Sequence, residues 1–378
     1  MAMPSPPLAL TSPEFGEPER SSVLSCLDSG WLSPGDYVQV FERMWSAFLH
    51  AQHCVAVSSG TAALLTVLDA LRERRSGSIV VTATYTCAPT YAAAVHAGCK
   101  VAVVDAEPER LGMAPDRLSE LLAELGPANV LAVVPVHVYG APVHPDVFQV
   151  CEEVGVPIIE DACEAAGAWY EDGRLVGHSG LAGCFSFRGD KIITTGGAGG
   201  AVITDDEELA IAVRSRRDLF LHVGEWARYD AAGLGFGCQM SNLQAAFGIP
   251  QIGRVQSLVA HRQRIAEVYR SALRDLPIAV PVDVRGHVYY RLCVSLKSAH
   301  QPADVAVALS ERGIETIAAF TPMHLLPFHK DHGAGVVHAM PCASSIWKTG
   351  ICLPIGPNVS ARDVMRVADA LERVMCAR

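Results

Sequence analysis

The sequence predicts an α/β protein whose central sheet is mainly parallel and flanked by helices. Short runs rich in valine and isoleucine alternate with amphipathic or alanine-rich segments through the middle of the chain. Such near-continuous apolar runs are typical of strands that helices cover on both faces. The chain has 378 residues, 50% of them hydrophobic, which exceeds the usual size of one domain. We therefore expect a large domain over residues 1–250 and a smaller α+β domain over residues 251–378.

The individual elements are predicted from local composition. The β-branched runs that predict strands of the large domain are Ser78–Thr82, Val101–Asp105, Val130–Pro135 and Val156–Ile159. The segment Leu243–Leu273 has helical periodicity, and Pro250 within it predicts a kink or a break. In the smaller domain a strand is predicted over His287–Leu296, and helices are predicted over Ala303–Arg312 and Ala361–Met375.

The run Phe185–Gly200 places one lysine, Lys191, between Ser186 and a glycine-rich backbone, as a cofactor-bearing lysine would be presented. Upstream, an apolar strand-like run ends in acids that include Asp161, and α/β folds build their sites at the carboxyl ends of strands. Each feature also has a plainer interpretation, as a surface lysine in a loop and as solvated acids at a strand end. Together they indicate an enzyme that uses pyridoxal 5′-phosphate (PLP).

The chemistry of PLP explains these residue types. A lysine amine forms a Schiff base with the cofactor aldehyde, and a carboxylate beside the pyridine nitrogen keeps that nitrogen protonated. Lys191 and Asp161 fit these two catalytic roles. Once an amino donor displaces the lysine, its free amine can move a proton between substrate and cofactor, which then cycles through pyridoxamine 5′-phosphate.

A third run suits the cofactor's phosphate. Residues 55–57 form a short apolar run that leads into Ser59, Gly60, Thr61 and Ala62, after which apolar residues recur at helical spacing through Leu71. The unpaired amides of a helix N-terminus bind anions, so Gly60, Thr61 and Ala62 would hold the phosphate. A plain N-cap before a buried helix is the alternative interpretation.

These motifs, in this order, resemble the DegT/DnrJ/EryC1/StrS family of sugar aminotransferases, which have the PLP-dependent transferase fold of type I, as in aspartate aminotransferase. The resemblance covers nearly the whole chain and no single match decides it. The matching segments are Gly30–Ser33, Ser59–Leu64, Val136–Gly140, Glu160–Ala162, Ser186–Lys191, Met240–Ala246 and Leu353–Pro354.

The resemblance implies roles for particular residues. Asp161 matches the partner of the pyridine nitrogen and Lys191 the Schiff-base lysine. Ser186 matches a phosphate ligand, and Glu164 matches a position, often Gln or His, near the cofactor's phenolic oxygen. The substrate-binding candidates are His137, Arg188, Arg228, Arg291 and His324, and His137 is equally well explained as a satisfied core histidine.

Two positions depart from the family pattern. The family stacks an aromatic residue on the cofactor ring, whereas this chain has Cys87 there and Tyr85 two residues earlier. The family also carries an asparagine that reaches the neighbouring subunit's cofactor phosphate, whereas this chain has Gly237. The resemblance therefore leaves the ring-stacking residue and one phosphate ligand open.

The resemblance implies a homodimeric aminotransferase that moves an amino group from L-glutamate to a keto group of a nucleotide-linked keto-deoxy sugar. The run from Ser186 to Lys191 and the following Thr194-Thr195-Gly196 resemble members that aminate C4. Sugars of this type feed antibiotic glycosides, lipopolysaccharide and other glycans. Three alternatives remain: an aminocyclitol aminotransferase that acts on a free cyclic ketone, a PLP-dependent sugar dehydratase, and a non-catalytic protein with this fold.

Composition excludes several other classes. A net charge of −10 and a pI near 5.8 argue against broad binding to nucleic acid or anionic membranes. The 12 cysteines are scattered singly, without a Cys-x-x-Cys pair, which indicates reduced thiols and a cytoplasmic protein. Neither a signal peptide nor an apolar run long enough to span a bilayer is evident, and no metal-ligand cluster stands out.

Overall fold

The computed structural model describes residues 7–223, 229–297, 300–336 and 338–376. Its helices are α1 Glu17–Asp28, α2 Asp36–Leu49, α3 Gly60–Arg74, α4 Ala88–His96, α5 Pro115–Leu125, α6 Asp146–Val154, α7 Glu207–Arg217, α8 Asn242–Ile252, α9 Val255–Ala272, α10 Pro302–Ser310, α11 His329–His332, α12 Pro341–Thr349 and α13 Ala361–Cys376. Its strands are β1 His53–Val57, β2 Ile79–Ala83, β3 Lys100–Val104, β4 Val130–Val134, β5 Ile159–Asp161, β6 Ala182–Ser186, β7 Gly200–Thr204, β8 Leu221–Val223, β9 Tyr229–Ala231, β10 Ile278–Ala279, β11 Leu292–Leu296, β12 Ile317–Ala318 and β13 Gly350–Leu353.

A central sheet runs in the order β3-β2-β4-β5-β6-β7-β1. Single parallel bridges, Val133 with Ile158 and Val136 with Asp161, join its two halves between β4 and β5. The neighbours from β3 through β6 are parallel, and β7 is antiparallel to both β6 and β1. The predicted α/β class with a mainly parallel sheet is therefore confirmed.

Strand β5 begins later than its sequence predicts. The prediction covers Val156–Ile159, whereas the ladder with β6 starts at Ile159 and continues to Asp161. Pro157 has no N–H group to donate to a neighbouring strand, which accounts for the late start. The strand consequently ends on the acidic residues, and Asp161 lies at its carboxyl end.

A second sheet forms from the C-terminal part of the chain, in the order β10-β11-β13-β12 with antiparallel neighbours. Helices α9, α10 and α13 pack against it around a buried core that includes Tyr269, Leu309 and Leu371. The predicted helices over Ala303–Arg312 and Ala361–Met375 match α10 and α13 to within two residues.

The predicted strand over His287–Leu296 is wrong in its first half. Strand β11 begins only at Leu292. Tyr289 has a φ of 50°, in the left-handed region that interrupts an extended chain. Arg262 stabilises the bend, because its Nη1 donates hydrogen bonds to the carbonyl oxygens of Tyr289 and Tyr290.

The helical segment around Pro250 breaks later than predicted. Helix α8 continues through Pro250 and ends at Ile252, and α9 begins at Val255. Pro250 has no N–H group and therefore cannot donate one of the hydrogen bonds of the helix, so little helix follows it. The prediction of a break is confirmed, and its position is Gly253 and Arg254.

Candidate active site

A cavity of about 310 Å³ lies at the carboxyl ends of the parallel strands. Residues after β5 and β6, the start of α3 and residues of β12 and β13 line it. It brings together Lys191, Asp161, Glu164, Ser186 and Gly60, which are far apart in sequence. The loop that follows each strand delivers these side chains to one edge of the sheet.

Lys191 lies in the cavity wall, five residues beyond the end of β6. Its Nζ is 3.4 Å from Glu164 Oε1 and 4.1 Å from the centroid of the Tyr290 ring. Only 11% of its side chain is exposed. Burial lowers the pKa of Lys191, but the Glu164 carboxylate, helped by Tyr290, Cys163 and Asp190, outweighs that effect and raises it above its ordinary value. In the unloaded chain this amine is therefore held as a cation.

Asp161 is buried at the end of β5, with 3% of its surface exposed. Its Oδ2 accepts a hydrogen bond from Thr90 Oγ1 at 2.7 Å, and its Oδ1 accepts one from the Cys163 amide at 3.1 Å. A buried carboxylate that is fixed at both oxygens can hold a protonated ring nitrogen in one place.

Helix α3 points its N-terminus at the cavity. Ser59 is the N-cap, and its Oγ accepts from the Ala62 amide at 3.1 Å. Gly60 and Thr61 line the cavity, as predicted for a phosphate site. Ala62 is not among the residues that line the cavity, and its amide donates to the capping serine.

Gly60 is closely enclosed. A Cβ at this position would lie 2.5 Å from Cys163 Sγ and 2.9 Å from Ser186 Cβ. The absence of a side chain lets the backbone of the helix N-terminus approach the loops after β5 and β6 closely.

Gly60→Ala should therefore weaken cofactor binding at least about tenfold, because the new methyl group must displace Cys163 or Ser186. The measurement is a PLP titration followed by visible absorbance. Gly253→Ala is the matched control, since its Cβ would meet only Pro250 O at 3.7 Å and its φ is −63°. Equal PLP affinities for the two variants would contradict this account of the site.

Glu164 and Ser186 both line the cavity. Glu164 Oε2 accepts from the Tyr139 amide at 2.8 Å while Oε1 faces Lys191, so the carboxylate is held between a backbone donor and the amine. Ser186 is the last residue of β6, beside the start of α3. The roles that the resemblance gives these two residues stay predictions.

The two candidates for ring stacking separate. Cys87 lines the cavity and is exposed. Tyr85 is a correction: it is fully buried outside the lining, and its hydroxyl is 2.9 Å from that of Tyr139. The position expected to hold an aromatic ring thus presents only a thiol to the cavity.

His137 is also corrected, because it does not line the cavity. Its Nε2 is 3.1 Å from Glu160 Oε2, its Nδ1 accepts from the Val143 amide, and none of its surface is exposed. Glu160 also accepts from Tyr170 Oη and from the amides of residues 177, 179 and 180. The core-histidine interpretation therefore applies, and the buried pair anchors the strand that carries Asp161.

The buried Glu160 predicts acid-sensitive stability. Burial raises the pKa of Glu160, but hydrogen bonds from His137 and the backbone amides outweigh it and hold the pKa below its ordinary value. A depressed pKa contributes stability above the unfolded value of about 4.3, and this contribution is lost as the pH falls through the folded value. Glu160→Gln should lower the apparent free energy of unfolding at pH 7 by about 2 kcal/mol and should reduce the loss on acidification.

Urea unfolding at pH 7 and at pH 4 measures both effects. Glu372→Gln, an exposed change on α13, is the control and should leave both values within about 0.5 kcal/mol. If Glu160→Gln and wild type show the same pH dependence of stability, other carboxylates cause the acid sensitivity.

The basic substrate candidates also divide. Arg188 and Arg291 line the cavity, and both bind Asp190. His324 is a correction: it does not line the cavity, and its Nδ1 is 2.7 Å from Thr84 Oγ1. Arg228 lies outside the described residues.

Gly237 has a φ of 59°. This left-handed region is adopted most readily by glycine and asparagine, so the backbone at this position suits both this chain's residue and the family's usual one. The segment passes beside the phosphate end of α3, since the Ser58 amide donates to the carbonyl oxygen of Cys238.

Several residues of the cavity escape prediction from the sequence. Thr90, Cys163, Tyr290 and Phe320 line it, and Asp190 holds two of its arginines. Asp190 is adjacent to Lys191, so its position in the motif could have indicated it. Tyr290 and Phe320 come from the C-terminal part of the chain and carry no local signal.

Comparison with known proteins identifies the family. Residues 13–372 match the model of the DegT/DnrJ/EryC1/StrS aminotransferase family. The chain belongs to this family. It is therefore a PLP-dependent aminotransferase of the sugar aminotransferase class, and the predicted fold of type I is confirmed.

Individual relatives match along their full length. The chain is 32% identical to the spore coat polysaccharide biosynthesis protein SpsC of Bacillus subtilis, over 97% of each chain. It is 30% identical to the GDP-perosamine synthase of Caulobacter vibrioides, over 98% of this chain and 99% of the relative. Helicobacter pylori PseC, an aminotransferase involved in the biosynthesis of pseudoaminic acid, shares the fold with a TM-score of 0.90 at 22% identity, over 98% and 99% of the two chains.

The residues of the cavity fit PLP. The ring nitrogen of PLP requires a carboxylate, and the aldehyde requires a lysine. The phosphate requires a helix N-terminus with free amides and space beside it. The cavity has a buried carboxylate, a lysine and a helix N-terminus that includes a glycine without a Cβ. When bound, PLP supplies the electron sink and the carbonyl group that carries the amine.

Two further searches cover only the described part of the chain. No helix there is long and apolar enough to cross a bilayer. No group of three or more His, Cys, Asp or Glu side chains is arranged there to hold a metal ion.

Proposed function

We propose that this aminotransferase moves the amino group of L-glutamate to the C4 keto group of a nucleotide-linked keto-deoxy sugar. The observation that carries the proposal is the convergence of Lys191, Asp161 and the N-terminus of α3 on one cavity. The GDP-perosamine synthases of Caulobacter vibrioides, Escherichia coli and Vibrio cholerae, at 28–30% identity, support a nucleotide-linked sugar as the acceptor. The preference for C4 rests on the motif between Ser186 and Gly196.

The proposal gives each residue of the cavity a role. Asp161 would hold the pyridine nitrogen protonated, Glu164 would lie near the phenolic oxygen, and Gly60, Thr61 and Ser186 would hold the phosphate. Lys191 anchors the cofactor and, once released, carries the proton at the substrate carbon through Nζ. Its ion pair with Glu164 keeps that nitrogen within the cavity.

A second copy of the chain is the proposed partner. Trp31, Leu32, Leu234 and Phe236 are large apolar residues with 39% to 96% of their surface exposed. Leu32 lies beside the start of α8, because the Asn242 amide donates to its carbonyl oxygen. Cys238, two residues after Phe236, lies beside the start of α3, because the Ser58 amide donates to its carbonyl oxygen. Large exposed apolar side chains favour a protein interface. We further propose a domain boundary at residue 250 and a cytoplasmic location. The amino sugar would become part of a glycan or an antibiotic glycoside.

The test separates the two half-reactions. The purified protein is loaded with PLP, L-glutamate is added, and the loss of the visible band of the lysine-bound cofactor is followed. The pyridoxamine-loaded protein is then mixed with a panel of nucleotide-linked 3-keto and 4-keto sugars and free cyclic ketones. Sedimentation gives the mass of the same sample.

The expected result is a complete first half-reaction, return of the band only with a 4-keto nucleotide sugar, and a dimer mass. Return of the band only with a free cyclic ketone would favour an aminocyclitol aminotransferase. A band that L-glutamate and L-glutamine both leave unchanged would contradict the proposed donor class.

A further inference from the structure

Asp190 is the centre of a charged cluster beside Lys191. Arg188 donates to it from Nε and Nη2, both at 2.7 Å. Asp190 Oδ2 also accepts from Tyr290 Oη at 2.6 Å and from Arg291 Nη2 at 2.8 Å. The Asp190 carboxylate thus holds the guanidinium groups of Arg188 and Arg291 and the ring of Tyr290, which Lys191 contacts.

The charges in this cluster do not balance. Glu164 pairs with Lys191, and Asp161 is held by Thr90 and the backbone, so Asp190 is the carboxylate left for both Arg188 and Arg291. Burial raises the pKa of Asp190, but the hydrogen bonds from Arg188 and Tyr290 and the charge of Lys191 outweigh it and hold the pKa below its ordinary value, so Asp190 remains charged at neutral pH. Around Asp190, two guanidinium groups therefore share one carboxylate.

Arg291 is the better placed of the two arginines. Its side chain is 11% exposed, whereas that of Arg188 is 66% exposed and screened by water. Arg291 Nη2 is engaged by Asp190 and Tyr290 Oη, but its Nη1 is shielded from solvent and has no acceptor among the described residues. The buried guanidinium therefore keeps unused capacity to bind an anion, and an unsatisfied buried donor is costly.

Arg291 and Lys191 both contact the ring of Tyr290. Arg291 Cζ is 4.7 Å from the centroid of the Tyr290 ring, and Lys191 Nζ is 4.1 Å from the same centroid. The amine of a donor amino acid takes the place of Lys191 Nζ, and the α-carboxylate is two bonds from that amine. The carboxylate of a bound donor would then lie in the cavity that Arg291 also lines.

We infer that Arg291, oriented by Asp190, binds the α-carboxylate of the amino donor. The inference rests on the proposed use of an amino acid as donor. A carboxylate completes the charge balance of the cluster and supplies an acceptor to the guanidinium in a site with little water, where such bonds are strong. The assignment separates Arg291 from the residues that bind the sugar nucleotide.

The test compares Arg291→Gln and Arg291→Lys with wild type in the first half-reaction, with L-glutamate and with its α-amide as donors. The α-amide keeps the amine and the distal carboxylate and differs only in the charge at the α position. Arg291→Gln should lower the specificity for L-glutamate about 30-fold or more and change that for the α-amide less than about threefold. Arg291→Lys should retain part of the preference, because it keeps the charge without the planar fork.

Binding of glutarate to the PLP-loaded protein, measured by calorimetry, provides a readout without turnover. Wild type should bind this unreactive dicarboxylate at least about tenfold more tightly than Arg291→Gln does. Arg117→Gln removes an exposed arginine that pairs with Glu120 on α5, and it should match wild type in every assay.

Two outcomes would overturn the inference. Equal losses with L-glutamate and its α-amide, together with unchanged glutarate affinity, would give Arg291 a merely structural role. A loss confined to the second half-reaction, with the keto-sugar nucleotide, would assign Arg291 to the diphosphate. A wild-type protein that does not react with L-glutamate yet binds glutarate through Arg291 would contradict the proposed donor but leave the carboxylate site in place.

Discussion

Lys191→Ala should lower turnover by at least about 10⁴-fold while leaving the fold intact. No other lysine lines the cavity among the described residues, so no second amine can take over the attachment of the cofactor and the proton transfer. The visible band of the lysine-bound cofactor should be missing, and L-glutamate should produce no spectral change. Absorbance after addition of PLP, with far-ultraviolet circular dichroism of the same sample, measures both.

Two variants control for side effects of the substitution. Removal of Lys191 leaves the buried Glu164 without its cation, so Lys191→Arg is needed, which keeps the positive charge but cannot form the Schiff base. Lys348→Ala removes an exposed lysine on α12 and should be indistinguishable from wild type. Multiple turnovers by Lys191→Arg would contradict the mechanism, whatever the stability of the alanine variant.

Much of the fold and the centre of the site could be predicted from the sequence, because their signals are local. The parallel strands have continuous apolar composition, and Asp161 and Lys191 each follow a strand. Ser59 and Gly60 predict the N-terminus of α3. In each case a few adjacent residues contain both the structural and the chemical reason.

The remainder depends on contacts between distant segments. Asp190 and Arg291 are 101 residues apart, and nothing in either segment indicates that they form an ion pair. His137 and His324 have side chains that could bind a ligand. Their ring nitrogens instead form hydrogen bonds, His137 with Glu160 and His324 with Thr84. The bend at Tyr289 also has no local signal, because a buried arginine from α9 holds it. Sequence patterns report what a side chain can do, and tertiary contacts decide which partner it meets.

Asp161→Asn should lower turnover at least about 100-fold with PLP still bound. Asparagine keeps the size of the side chain; its one carbonyl oxygen can still accept from the Cys163 amide, and its NH2 group can donate to the Thr90 hydroxyl oxygen. It lacks the negative charge that holds the pyridine nitrogen protonated, so the ring loses its power to accept electrons, and a fixed charge of this kind is worth about two to three orders of magnitude in rate. The measurement is the rate of the first half-reaction at saturating L-glutamate, with the visible band confirming that the cofactor is loaded.

Thr90→Val separates the charge of Asp161 from its orientation. Valine keeps the shape of threonine and removes the 2.7 Å hydrogen bond to Asp161 Oδ2, together with the longer 3.3 Å hydrogen bond to Thr86 Oγ1, so the charge of Asp161 stays in place with one hydrogen bond fewer. The expected loss is about tenfold, the worth of one hydrogen bond to a charged group, and clearly smaller than that of Asp161→Asn. Equal losses in the two variants would mean that position, not charge, is what Asp161 contributes. A loaded Asp161→Asn protein within about threefold of wild type would show that its carboxylate is not the partner of the ring nitrogen.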